Sequence, residues 1–160
     1  MNDGLTQNPD HTAIVIVDHG SKRIESNRML EEFVSGYAQR ARYKIVEPSH
    51  MELAEPSIAT AFDRCAQRGA RCIVVCPYFL LPGRHWHQDI PALAQAAAAQ
   101  HPGMTYLVAA PIGLHPMMVD VIESRIGHCL ARVAGQVADC ESCQETGGCV
   151  LRPGVETPSS

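Results

Sequence analysis

Residues 12–18 read TAIVIVD, an aliphatic and β-branched run in which only the end positions are polar. A half-buried strand alternates between apolar and polar positions. A run without alternation must be covered on both faces, as in a parallel sheet flanked by helices. Three further stretches have strand character: YKIVEPSHM (43–51), RCIVVCPYF (71–79) and MTYLVAAPIG (104–113). Between them lie helical patterns. Leu30, Phe33, Val34, Tyr37 and Ala41 recur at spacings of three and four, and Ile58, Phe62, Cys65 and Ala66 do the same. Glu55-Pro56 is expected to open the second helix, Asp89 with Pro91 the alanine-rich third, and Pro116 the last. Met118, Ile122, Ile126, Leu130 and Val133 mark one face of that last helix. The order β-α-β-α-β-α-β-α predicts an open, mostly parallel four-stranded α/β sheet with helices on both faces. One such domain is expected over 12–134, followed by a cysteine-containing, partly flexible extension over 135–160.

Open α/β sheets bind ligands beyond the carboxyl ends of their strands. Polar clusters fall at three of those ends: Asp18-His19-Gly20-Ser21, then His50 and Glu52, then His85-Trp86-His87. In extended chain, His85 and His87 would turn to the same side. The sharper reading of this edge is a metal-handling site in which imidazoles from loops one and three are joined by Glu52. Imidazole suits divalent first-row metals and takes up protons near neutral pH. The plainer reading has one histidine bonded to backbone while Trp86 covers an apolar surface. No phosphate-binding G-x-x-x-x-G-K-[ST], dinucleotide G-x-G-x-x-G or hydrolase G-x-S-x-G pattern is present.

The formal net charge of −4 argues against nucleic acid as the main partner. No apolar stretch reaches membrane-spanning length, and the opening MNDGLTQNPDHT lacks the basic and apolar regions of a secretory signal. A soluble, non-secreted chain is expected. The seven cysteines are an odd number without an export signal, which disfavours a disulfide framework. Cys65, Cys72 and Cys76 lie in apolar segments, as small core residues do. Cys140, Cys143 and Cys149 form a C-x2-C-x5-C stretch that offers three thiolates, with Cys129 the nearest fourth. Zinc, an iron–sulfur cluster, a ligand from a second chain and free thiols all remain open on spacing alone.

VDHGSKRIESN, HMELAEPSI, FLLPGRHWHQDIP, PIGLHP and RIGHCL resemble, in order, the short sirohydrochlorin ferrochelatase/cobaltochelatase family (SirB/CbiX). The text is most similar to the plant and algal type, which carries a C-terminal [2Fe-2S] centre. The resemblance implies ATP-independent insertion of Fe²⁺ into sirohydrochlorin to form sirohaem. It implies His19 and His85 as metal-binding and proton-removing residues, and Glu52 as their acidic partner. Cys129, Cys140, Cys143 and Cys149 correspond to the cluster-bearing feature. Ser21, Lys22, Arg84, Trp86 and His87 are expected to contact the substrate, whose carboxylates need local cations. Lys22 stands where many members carry Arg, which forgoes bidentate carboxylate binding. The family also implies a homodimer, located in the plastid stroma for a mature eukaryotic chain and in the cytoplasm for a bacterial one. Insertion of Co²⁺ for cobalamin synthesis is the alternative activity. A metal- or redox-sensing protein built on the tail cysteines is the non-enzymatic alternative.

Overall fold

A computed structural model describes residues 8–144 and 149–152. The start of the opening stretch (1–7) and residues 145–148 and 153–160 of the expected extension lie outside the described residues. The chain divides into two compact units, Met1–Leu114 and His115–Ser160, a boundary earlier than the expected 134/135.

In the first unit the elements are β1 (Thr12–Asp18), α1 (Ile24–Ala38), β2 (Ile45–His50), α2 (Ile58–Gln67), β3 (Cys72–Pro77), α3 (Ile90–Ala98) and β4 (Thr105–Val108). All pairings are parallel, in the order β2-β1-β3-β4. β1 is central, and its side chains alternate between two cores. Ala13, Val15 and Val17 pack with Phe62 and Cys65 of α2 and with Ile90 and Ala94 of α3. Ile14 and Ile16 pack with Leu30 and Val34 of α1 on the opposite face. This double covering is why TAIVIVD has no solvent-facing alternation. Pro48 is tolerated inside β2 because that strand lies at the sheet edge, where a missing N–H breaks no second ladder.

The expected start of α2 needs correction. Pro56 follows a cis peptide and precedes α2; the cap is Ser57, whose Oγ accepts from the Thr60 amide at 3.2 Å. Glu55 Oε2 in turn accepts from the Ser57 amide, and that bond holds its carboxyl below the usual range. Ser57→Ala is expected to cost about 1 kcal/mol. That corresponds to about 2–4 °C in a thermal melt of a chain this size. The fourth strand is also shorter than its apolar text, stopping at Val108 before Pro111.

Strand order 2-1-3-4 reverses direction between β1 and β3, which is the switch point where such sheets leave a crevice. Val17 pairs with Pro77 and Asp18 with His50, so the three strands end at one level. The segments after β1, β2 and β3 therefore leave the sheet together.

The second unit contains α4 (Met118–Val133), which buries none of its residues. Ile122, Ile126 and Leu130 of its expected apolar face are all exposed. Among the described residues, no helix is long and apolar enough to cross a membrane.

Candidate active site

The loops after β1 and β2 continue the ladder beyond the strands. The Met51 amide donates to the Asp18 carbonyl at 2.8 Å, and the Glu52 amide to the His19 carbonyl at 3.1 Å. This pairing brings His19 Nε2 within 2.7 Å of Glu52 Oε1. The other ring nitrogen, Nδ1, faces the Gly20 carbonyl at 3.2 Å. Both nitrogens of His19 thus face acceptors, the Glu52 carboxylate and the Gly20 carbonyl. Both side chains are half-exposed, so the ion pair adds little to stability. Its value lies in where it places a proton.

Gly20 makes the approach possible. Its φ is +83°, and a Cβ there would lie 2.0 Å from the Glu52 carbonyl oxygen. Asn27, from the first turn of α1, clasps the same loop. Its Oδ1 accepts from the Ser21 amide and its Nδ2 donates to the Ser21 carbonyl, both at 2.9 Å.

The loop after β3 departs from its expected extended form. Residues His85–Asp89 form a π-helical turn, with the Ile90 amide donating to the His85 carbonyl. In a helical turn, residues two apart do not face each other whereas residues four apart do. His85 and His87 therefore diverge, and His85 meets Asp89 instead, with Nδ1 2.8 Å from Asp89 Oδ2. Asp89 stands at the N-cap of α3 with Pro91 in the first turn, as expected, but its side chain makes no capping bond and its carboxylate serves the histidine. The HWHQD spacing contained this signal, visible once the loop is read as helical.

His19 and His85 come together, with ring centroids 5.3 Å apart. Two imidazoles on one ion, with metal–nitrogen bonds of about 2.1 Å, would have centroids roughly 5 Å apart. Among the described residues nothing bonds to Nε2 of His85, so the Asp89 contact leaves that nitrogen as the open donor. A cleft of about 610 Å³ opens here, with Glu52, Arg84, His85 and Asp89 on its walls beside Met51 and Leu93.

The other expected contacts are distributed differently. Ser21 and Lys22 line a neighbouring hollow of about 340 Å³ together with Arg28 and Leu53. Ser21 Oγ is engaged by the Arg23 amide at 3.0 Å. Trp86 is half-buried and donates from Nε1 to the Ala109 carbonyl at 2.9 Å. Its ring lies against His87, centroids 4.3 Å apart, and neither residue lines the cleft. Trp86 thus anchors the π-helical turn to the segment after β4.

In the second unit the four expected cysteines converge. Cys149 Sγ lies 3.2 Å from Cys143 Sγ and 3.5 Å from Cys129 Sγ, and Cys140 adjoins Cys143. Arg125, Cys129 and Arg132 share one face of α4 by their spacing. Arg125 Nη1 holds Glu141 at 2.5 Å and Arg132 holds Asp139, so Cys140 is strapped on both sides. Hydrogen bonding to Cys143 and Cys129 pushes the Cys149 thiol up to about 12, whereas the Ser142 amide lowers Cys140. Among the described residues, no three or more His, Cys, Asp or Glu side chains form a ready-made ion site. The sulfurs are in mutual contact, closer than the roughly 3.8 Å between thiolates on one tetrahedral metal with bonds of about 2.3 Å. In identity and placement the four still fit a thiolate-ligated group. Of the remaining cysteines, Cys65 and Cys72 are buried in the core and Cys76 partly so.

Comparison with known proteins gives the family. The CbiX family model matches residues 13–129. The chain belongs to the CbiX family. It is 52% identical over 152 residues to the chloroplastic sirohydrochlorin ferrochelatase of Arabidopsis thaliana, covering 94% of this chain and 68% of that one. Among solved structures, a putative cobalamin biosynthesis CbiX protein from Marinobacter aquaeolei superposes with a TM-score of 0.67 at 30% identity. That match covers 76% of this chain and 98% of the other. Bacillus subtilis SirB, solved with cobalt and with Fe³⁺, gives a TM-score of 0.69 at 32% and 31% identity. It covers 73% of this chain, which spans 50% and 46% of the SirB chains.

Proposed function

We propose that this protein is a sirohydrochlorin ferrochelatase, inserting Fe²⁺ into sirohydrochlorin without ATP to form sirohaem. The observation that carries the reading is the unequal bonding of two adjacent histidines. His85 is oriented by Asp89 through Nδ1 and presents Nε2, as metal-binding histidines with a carboxylate partner do. His19 is paired with Glu52, which suits it to accept protons. Insertion exchanges one Fe²⁺ for two pyrrole protons, so charge balances without a further reactant. The incoming metal leaves His85 as ring nitrogens replace it, and the protons pass to His19 and Glu52 and on to solvent. Glu52→Gln is expected to slow insertion by about 10²–10⁴-fold, measured from the macrocycle's visible spectrum.

The same spectroscopic assay tests the reading as a whole. Anaerobic Fe²⁺ and sirohydrochlorin should react faster with the protein than without it. No acceleration with either Fe²⁺ or Co²⁺ would leave only a binding or sensing role. A strong preference for Co²⁺ would favour the cobalt reading, whose relatives include a sirohydrochlorin cobaltochelatase of Priestia megaterium.

A [2Fe-2S] cluster would be held by Cys129, Cys140, Cys143 and Cys149, and when bound supplies one-electron redox chemistry. Anaerobically purified protein is expected to be brown, and Cys140→Ser to remove the colour while far-ultraviolet circular dichroism stays unchanged. Colourless protein with stoichiometric zinc would overturn this assignment. The exposed aliphatic face of α4 supports a homodimer. The chloroplastic Arabidopsis relative supports a plastid location.

A further inference from the structure

We propose that Asp18 and His50 form a buried clamp that positions the His19–Glu52 pair. Asp18 Oδ1 accepts two hydrogen bonds, from the Gly20 amide at 2.9 Å and from His50 Nδ1 at 2.6 Å. One donor directly follows His19 and the other lies two residues before Glu52, so a single carboxylate oxygen fastens both arms of the site. The His50 ring is wholly buried, and its backbone is fixed from the far side, where its amide donates to the Pro56 carbonyl at 2.7 Å. Among the described residues, His50 Nε2 and the neighbouring Ser49 Oγ are buried without a hydrogen-bond partner. A sheet core gains nothing from such groups, because desolvating them costs more than one bond returns. Asp18 and His50 are register partners at the ends of β1 and β2. Their common consequence is the spacing of the two loops at Gly20, which already stand at contact distance.

The proposal rests on the reading that His19 and Glu52 take up the pyrrole protons, and its test separates the two. Asp18→Asn keeps the shape and an acceptor but loses the charge. In the full chain it should lower kcat for metal insertion about tenfold or more, as loss of an outer-shell partner does, with KM for sirohydrochlorin within about twofold. In a Glu52→Gln background the same change should cost less than about twofold, because the pair it positions is already gone. A tenfold loss that persists in that background shows general damage and overturns the clamp, as does an Asp18→Asn enzyme with unaltered kcat. His50→Leu should behave like Asp18→Asn and His50→Gln should recover part of the rate, which keeps the test open if Asp18→Asn folds poorly. Nitrogen-15 spectra of the histidine rings add a readout independent of turnover. Asp18→Asn should move the His19 ring signals as well as those of His50. Unmoved His19 signals would overturn the clamp even if the protein inserted no metal, whereas an inactive wild type with moved signals would overturn only the chelatase reading.

Discussion

His85→Ala is expected to slow metal insertion on the order of 100-fold or more while leaving the melting temperature within about 2 °C. Loss of an outer-shell partner of a metal-binding histidine already costs about 10–100-fold, so loss of the donor nitrogen itself should cost at least as much. The fold should tolerate the change because the ring is half-exposed and the bond closing the π-helical turn uses the His85 carbonyl, which alanine retains. Substitutions at such surface positions stay within about 0.5 kcal/mol, which sets the small thermal shift. Asp89→Asn grades the same experiment: the amide oxygen can still accept from Nδ1 but without charge, and a loss of about tenfold is expected. Initial rates with Fe²⁺ and sirohydrochlorin, together with a thermal melt, decide both. Unchanged insertion in His85→Ala would remove His85 from the site, and an Asp89→Asn loss exceeding that of His85→Ala would reverse their roles.

Much of this site is legible in the sequence because strand ends are. An unalternating run such as TAIVIVD fixes a buried strand, the α/β order fixes which ends share an edge, and the polar residues that follow are thereby brought together. The C-x2-C-x5-C spacing singled out the thiols of the second unit, but nothing in it pointed to Arg125 and Arg132, whose ion pairs strap the turn around Cys140. What local text did not reveal was the helical state of the loop after β3. An extended reading set His87 beside His85 while hiding the i,i+4 partner Asp89. Tertiary bonds decide that state, including the one from Trp86 to Ala109, and no periodicity announces them. The Asp18–His50 bond was hidden for a related reason. Two residues thirty-two apart become neighbours only through the parallel register of β1 and β2.

The glycines of DHGS and PIGL make a sharper case, since their meaning depends on what passes beside them. A Cβ on Gly113 would lie 1.3 Å from the Leu80 carbonyl oxygen and 2.6 Å from the Leu80 Cα, both backbone atoms with no rotamer to yield. The Gly113 amide also donates to the Phe79 carbonyl at 3.2 Å, so the two segments are bonded where they touch. Gly113→Ala must therefore drive residues 79–81 away, and that segment leads directly into the turn bearing His85. Overpacking of this kind typically costs about 1–3 kcal/mol, so a measurable fall in melting temperature is expected. The larger effect should be on rate. Relieving the overlap requires the chain to retreat by more than about 1 Å, and a misplacement of that size can cost about 10²-fold in a reaction that depends on alignment. Gly36→Ala is the matched control. It too is a glycine-to-alanine change in the same unit, but its added Cβ meets nothing within 4 Å. The expected result is a Gly113→Ala protein that still folds and binds sirohydrochlorin but inserts metal at roughly a hundredth of the rate, beside a Gly36→Ala protein that is unimpaired. Equal rates in the two variants would mean that the crossing at Leu80 does not place His85.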